Sequence, residues 1–416
     1  MIIGKVQALG ILNSLKMGIN PSNNIVDLCV GRDAHKLEIS RCLDLTKEGA
    51  GVVKFICGEY GSGKTFIINL ATEEALKRNF VVSRLQIDSG MRFNDLGNFY
   101  YSLMHNLQIK DDSKAGTCFE EIFDRWIEKL VSMDNREEAA LIVNQVVESL
   151  NDYNSSFSRA FLAYIKAKIS KDIELSNAAA SWIKGEKNIP IGLKVRFEVK
   201  GNIDKENSMD FFKAFLRLLK LMGYGGILIA VDEIELLMSL RSDIRKTSFE
   251  NLRYLIDNCS SQDFSNCMFC FGATPEFFSN VEKGAKSYIA LAQRLGDAID
   301  KKSSSLSDMR QTIMRLNELN SNELLDLTEK ILYLHKLAYN WEPTTSSSAI
   351  KSWATLALKR SKEGLKVNTR EFIVKLIEIL DIMEQHPGYN IFNNELKHVH
   401  GEGGMLLQRP RVSNDF

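Results

Sequence analysis

Nothing in this chain of 416 residues is apolar for long enough to cross a bilayer. The longest apolar run near its middle, Gly225–Val231, stops at Asp232, well short of the roughly 20 residues a spanning helix needs. A surplus of charge is missing too, since 53 Lys and Arg balance 53 Asp and Glu. No global basic field announces a nucleic-acid partner, which leaves room only for a local patch. The segment Met1–Lys16 has no long apolar stretch and no small-residue cleavage site, and it reads as an amphipathic helix rather than a signal peptide. Internal repeats and low-complexity tracts are absent. The seven cysteines are odd in number and scattered through apolar runs, as reduced thiols are. Cys267 and Cys270 have C-x-x-C spacing, but with no second pair or histidine cluster nearby they read as buried strand cysteines ahead of a metal or redox site. These absences predict a cytoplasmic protein with no membrane partner. At 44% hydrophobic and 25% charged residues, the composition is that of an ordinary globular chain with length for two or three domains.

What is present starts with a loop. Gly58, Glu59, Tyr60, Gly61, Ser62, Gly63, Lys64 and Thr65 spell G-x-x-x-x-G-K-T, between an apolar strand-like run, Val52–Cys57, and a helix-like run that opens at Phe66 and ends at Lys77. That context is what the phosphate-binding (Walker A) motif requires. The glycines let the backbone turn where a side chain would clash, so that successive N–H groups and the positive end of the following helix converge on phosphate oxygens. Lys64 adds a point charge toward the β and γ phosphates, and the Thr65 hydroxyl can ligate the Mg²⁺ that bridges them. The cofactors expected are therefore ATP and Mg²⁺.

A second motif completes the pattern. Ile227–Val231 runs into Asp232 and Glu233, at the carboxyl end of a core strand, where open α/β sheets bind ligands. Asp232 is expected to hold the Mg²⁺ shell. Glu233, pointing the other way along the strand, is expected to orient and deprotonate the attacking water, which favours a hydrolysing, additional-strand NTPase over a small-molecule kinase. Glu235 is a third carboxylate whose spacing fits either a role in the site or a solvated helix start. Thr274, leaving the next strand, is either a γ-phosphate sensor or the start of the turn that Pro275 demands. Arg294 and Arg370 could each bring charge to the transition state, one from a neighbouring subunit of an ATP-bound homo-oligomer and one from a lid, or each could be a surface arginine. Arg245 and Arg253 compete with them.

Five apolar runs, Val52–Cys57, Phe80–Ile87, Ile227–Val231, Met268–Phe271 and Thr312–Leu316, predict buried parallel strands alternating with helices. The fold class is therefore α/β: a P-loop NTPase core with a parallel sheet, a large helical insertion and a C-terminal helical lid. The expected boundaries are an N-terminal helical segment over 1–30, a core over 31–89 and 223–316, an insertion over 90–222, a lid over 317–386 and a flexible tail over 387–416. Helical periodicity marks Phe119–Leu130 and Phe157–Lys168 in the insertion, and Ser321–Leu334, Ala349–Lys359 and Thr369–Leu380 in the lid. Asn188–Val199 alternates weakly and reads as an extended return segment.

The order of these motifs, with Val30–His35 ahead of the first strand, resembles AAA+ ATPases of the origin-recognition and STAND-like branch. In that resemblance Gly31 and Arg32 correspond to the segment near the adenine, and Arg370 to the lid sensor. The wording of Gly58–Phe66, Val199–Asp204, Asp232–Glu235, Asn251–Asp257, Gly272–Phe278 and Leu291–Leu295 is similar to that of the BrxD-like P-loop family of BREX phage-resistance systems, from about Val6 to Leu380. The resemblance implies an ATP-hydrolysing AAA+ switch or motor that works with other defence-system proteins near DNA. Two alternatives stay open. A DNA-loading or remodelling ATPase would use the basic lid residues Lys351, Lys359, Arg360, Lys362, Lys366 and Arg370 on double-stranded DNA, although Glu363 and Glu371 among them also suit a solvated face. A non-catalytic, nucleotide-gated scaffold would bind ATP without needing Glu233.

Overall fold

The computed structural model describes residues 3–21, 28–87, 90–110, 119–296, 308–343, 350, 352–354, 368–386 and 388–389. Two compact units emerge: Gly31–Glu318, and Met1–Val30 together with Leu319–Phe416. The larger is built on β1 (Gly51–Cys57), β2 (Val81–Gln86), β3 (Leu107–Gln108), β4 (Ile227–Asp232), β5 (Cys267–Ala273) and β6 (Ile313–Arg315). Their order is β3-β2-β4-β5-β1-β6. Every pairing is parallel except that of β3 with β2. The five apolar runs all become strands because they have no polar-out alternation: β5 is buried at every position and β4 at all but its last. Such strands must be covered on both faces, and helices are the elements that do it.

The register positions the site. Cys57 lies beside Ala273, and Gln86 beside Asp232, so β1, β5, β4 and β2 end along one rim of the sheet. β5 separates β1 from β4. On β5, Cys267 and Cys270 are buried free thiols, and burial pushes the Cys270 thiol up to about 12.

Lys54, buried on β1, fastens the strand to what precedes β6. Its Nζ donates to the carbonyls of Met309, Arg310 and Gln311 at 3.0, 3.0 and 2.8 Å and lies 2.7 Å from Glu38 Oε1. Glu38 also accepts two hydrogen bonds from Arg41, at 2.8 and 2.7 Å, and one from Cys42. Burial alone would raise its pKa, but the donors on Arg41 and Lys54 outweigh that and hold it at about 2.

Between β2 and β4 the chain is mostly helical, through Leu96–His105, Phe119–Val131, Arg136–Asn151, Ser155–Ser170, Ile173–Ile183, Ile191–Arg196 and Ser208–Leu221. Asn135, Asn154 and Asp172 cap three of these helices with side-chain oxygens. In Phe119–Val131 the buried positions Phe119, Ile122, Phe123, Trp126, Ile127 and Leu130 follow the helical period. Ser208–Leu221 joins this layer to the sheet. Phe212 meets Phe264 and Phe269, at ring centroids of 5.1 and 6.5 Å, while Phe211 meets Phe157 and Trp182 at 6.2 and 5.4 Å.

The expected extended segment Asn188–Val199 is instead turned into the helix Ile191–Arg196. Its weak alternation is not a buried face: Ile191 and Val195 are exposed, Ile189 and Leu193 are half-buried against the core, and Phe197 and Val199 are buried in it.

The smaller unit packs Lys5–Lys16 on Ser321–Tyr339 and Thr369–Gln385. Ala8, Ile11, Leu12 and Leu15 form the buried stripe of the first helix. A polar network closes one end. Lys16 bridges Asp381 at 2.8 Å, Asp381 Oδ1 lies 3.1 Å from His335 Nε2, and the Trp341 indole N–H donates to His335 Nδ1 at 2.7 Å. Because Nδ1 accepts, His335 is held neutral with its proton on Nε2, and burial lowers its pKa. Of the expected helix Ala349–Lys359, Ile350 and Ser352–Ala354 are described; the tail lies outside the described residues save Gly388 and Tyr389. No helix among the described residues is long and apolar enough to cross a membrane.

Candidate functional site

The glycine loop leaves β1 at Gly58, whose N–H donates to Ala273 O at 3.1 Å. Gly61 and Gly63 take φ of 78° and 99°, the left-handed region that L side chains rarely adopt. Gly63 opens the helix Lys64–Lys77, which no side chain caps, so its first N–H groups and the positive end of its dipole face the loop. Phe66 is half-buried on the first turn. The Ser62 hydroxyl is buried without a protein partner. Lys64 is folded down rather than extended: its Nζ donates to Gly58 O at 3.0 Å and Glu59 O at 3.4 Å, beneath the Tyr60 ring at 4.8 Å.

β4 supplies the acidic side. Thr65 Oγ1 donates to Asp232 Oδ2 at 2.6 Å, and Asp232 Oδ1 accepts the Glu233 N–H at 2.9 Å. Gly272 on β5 makes room for that carboxylate, since a Cβ there would stand 2.3 Å from Asp232 Oδ1. The strand alternation expected to turn Glu233 is not what turns it. β4 ends at Asp232, and Glu233 takes a left-handed backbone, φ 58° and ψ 39°, at the start of the 3₁₀ turn Ile234–Ser239. A non-glycine residue held there costs of order 1–3 kcal/mol and persists only where its surroundings enforce it. Its Oε2 accepts the Gln86 side-chain amide from the neighbouring strand end at 2.8 Å.

Two residues near these groups escaped the sequence reading, and a third was left between two roles. Gln86 is a polar residue ending an apolar strand, and Arg84 is a cation inside one. Arg84 donates to Asn69 on the helix after the loop; burial lowers its pKa and the Asp232 carboxylate raises it. Glu235, which spacing left between two roles, is buried, with its carboxylate 3.9 Å from Lys64 Nζ. A charged or amide residue in a buried strand was the available signal for the first two. For Glu235 the spacing gave the candidate, and its burial decides against the solvated helix start.

The remaining expected residues divide. Thr274 is buried directly after β5, and its hydroxyl does not cap the short helix Pro275–Ser279. Gly31 takes φ 64°, and Arg32 is buried with its guanidinium donating to Asn317 O at 2.9 Å and Ser62 O at 3.3 Å, under the loop. Arg294 is held by Asp257 through two hydrogen bonds, at 2.9 and 3.3 Å. Arg253 Nε lies 3.9 Å from the same carboxylate, and Arg245 donates to Leu240 O. Arg370 belongs to the smaller unit, is exposed, and runs along Gly18. The Val199–Asp204 wording is structural: Asp204 Oδ1 accepts the N–H groups of Glu206 and Asn207, and Trp182 Nε1 donates to Gly201 O.

No group of three or more His, Cys, Asp or Glu among the described residues could hold a metal alone. Thr65 and Asp232 nonetheless offer two adjacent hard oxygens, a set that suits Mg²⁺ completed by phosphates and water. The orphaned Ser62 hydroxyl and the uncapped helix end suit an anion beside them.

Against known proteins, a family model described as BREX system ATP-binding protein BrxC/D matches residues 3–398. No curated protein matches the chain.

Proposed function

The chain belongs to the family of BREX system ATP-binding proteins BrxC/D, and on that premise we propose that it binds ATP at the Gly58–Thr65 loop, hydrolyses it with Mg²⁺, and uses the cycle as a AAA+ switch or motor among other BREX defence proteins. The observation that carries this reading is the 2.6 Å hydrogen bond from Thr65 Oγ1 to Asp232 Oδ2. It joins the glycine loop to the acidic strand end across β5.

Each residue has a role in this reading. Lys64 leaves the loop carbonyls for the β and γ phosphates, and the loop Gly58–Phe66 wraps the phosphate chain with the N–H groups that follow Gly58, with Gly31 and Arg32 beside the adenine end. Thr65 and Asp232 hold the ion. Mg²⁺, when bound, neutralises developing charge on the phosphate oxygens. Glu233 orients and deprotonates a water for attack on the γ phosphate, once it exchanges the Gln86 amide for that water. Thr274 senses the γ phosphate from between the two motifs. Arg294 acts across a subunit boundary in an ATP-bound homo-oligomer after leaving Asp257, and Arg370 acts from the lid. The domain boundaries given above serve this cycle as core, insertion and lid. The basic residues that favour a DNA-loading role, Lys351, Lys359, Arg360, Lys362 and Lys366, lie outside the described residues.

Turnover of [γ-³²P]ATP, measured for wild type, Lys64→Ala and Glu233→Gln with and without duplex DNA, tests the proposal. Turnover present in wild type and lost in both variants supports it. ATP binding that persists unhydrolysed in every condition, partners included, would leave a nucleotide-gated scaffold.

A further inference from the structure

Glu235 is a buried acid for which the hydrolytic reading has no use. It lies on the 3₁₀ turn after β4, its side chain is 5% exposed, and neither carboxylate oxygen accepts a hydrogen bond. Holding an ionised carboxylate in that condition is costly unless a charge compensates it. The charged and titratable groups facing it are few: the Lys64 ammonium from the helix after the loop, the Asp232 and Glu233 carboxylates from β4 and its exit, and the Tyr60 phenol from the loop. Lys64 is the one cation among these, at 3.9 Å, a distance of ion pairing without a hydrogen bond, and the Tyr60 hydroxyl is also drawn toward the carboxylate. Lys64 is itself almost fully buried, with two loop carbonyls below it and the Tyr60 ring above.

We infer that Glu235 is a positioning residue that acts through Lys64: its carboxylate keeps the ammonium folded into the loop in the nucleotide-free protein, and a triphosphate binds by drawing the ammonium away from it. This rests on the reading of the loop as an ATP phosphate site and adds a residue that sets its affinity. The competition is unequal by design of the geometry. Phosphate oxygens offer Lys64 short charge-assisted hydrogen bonds, whereas Glu235 offers charge alone. Burial pushes the Glu235 carboxyl up and the Lys64 ammonium pulls it down, so once the ammonium moves toward phosphate the carboxylate is left among acids. That cost is charged against nucleotide binding, and removing the negative charge removes it.

The test is the dissociation constant for Mg·ATP in the full chain, for wild type, Glu235→Gln and Glu235→Asp, with melting temperatures taken alongside. Glu235→Gln keeps the shape and loses the charge, and should bind ATP about tenfold more tightly, about 1.4 kcal/mol. Glu235→Asp keeps the charge and should stay within about threefold of wild type, about 0.65 kcal/mol. A residue with a merely structural role would weaken binding in both variants and lower both melting temperatures. Wild-type binding with Glu235→Gln unchanged or weaker overturns the assignment of Glu235 alone. Absence of ATP binding by wild type overturns it together with the site it rests on.

Discussion

Lys54 and Lys64 stand toward the two ends of one structural feature, β1 and its exit, and both are buried beside a glutamate, yet they are bound in opposite ways. Lys54 Nζ has Glu38 at 2.7 Å and three carbonyls within 3.0 Å, and Glu38 in turn has Arg41 and Cys42 as donors. Every valence there is spoken for. Lys64 Nζ has Glu235 at 3.9 Å, one carbonyl at 3.0 Å and one at 3.4 Å, and neither Glu235 oxygen has a donor in good hydrogen-bond geometry. A fully satisfied buried pair fixes a fold, because nothing outside the protein can improve on its partners. An under-satisfied one is a place where a ligand can, and in this chain it lies beside the glycine loop.

That contrast breaks most visibly by truncation. Lys54→Ala leaves Glu38 to Arg41 and Cys42 alone and takes the donor from three carbonyls, and should cost about 3–5 kcal/mol of stability in urea unfolding. Lys64→Ala leaves Glu235 without its compensating charge but breaks no hydrogen bond to it, so it should lower the unfolding midpoint clearly less than Lys54→Ala while weakening ATP binding about a hundredfold, about 2.7 kcal/mol. Equal destabilisation by the two would erase the distinction. Next in size is Gly272→Ala, where the new Cβ would lie 2.3 Å from Asp232 Oδ1 and the carboxylate must move. Mg²⁺-dependent turnover should fall on the order of a hundredfold, as when one transition-state electrostatic contact is lost, with little change in Mg²⁺-free ATP binding.

Acid separates the buried histidines from Glu38 as well. Glu38 is held at about 2 against an unperturbed 4.5, so its contribution is complete above pH 4.5 and fades as pH falls toward 2. His335 is shifted the other way for a base: its pKa is lowered from 6.5 by burial, so the unfolded chain takes the proton first and stability falls as pH drops below 6.5. The surroundings of His335 in the smaller unit and of the buried His35 in the larger, whose pKa burial also lowers, should therefore loosen at mildly acid pH, and those of Glu38 only well below it. Hydrogen exchange at pH 7, 5.5 and 4 reads both, and simultaneous loosening would contradict the assignment. The smallest expected effect is at Gln86. Its amide occupies the Glu233 carboxylate and must leave before a water can take its place, so Gln86→Ala should raise basal turnover by about twofold to fivefold, under 1 kcal/mol.

The sheet was legible because its signal is redundant. Five runs of apolar residues can be buried on both faces only as covered strands, and the strand ends then follow from the registers. Asn188–Val199 misled because alternation is only a proxy for burial, and here Ile191 and Val195 face solvent. Within the candidate site, residue types and spacing brought out Lys64, Thr65 and Asp232 but not the conformations that matter. Nothing in Asp232-Glu-Ile-Glu235 says that Glu233 turns through a left-handed backbone or that Glu235 points inward. Gly272 was visible only as part of a family's wording. Its reason, the space taken by Asp232 Oδ1, is a contact between strands far apart in sequence.

The most direct test of the central claim is thermal melting of wild type and Lys64→Ala, each with and without Mg·ATP. Without nucleotide, Lys64→Ala should melt only slightly below wild type, since a charge 3.9 Å away is what Glu235 loses, and Mg·ATP should raise the melting temperature of wild type alone. An equal rise in the variant would place the nucleotide elsewhere, and a variant already unstable without nucleotide would make Lys64 a second Lys54.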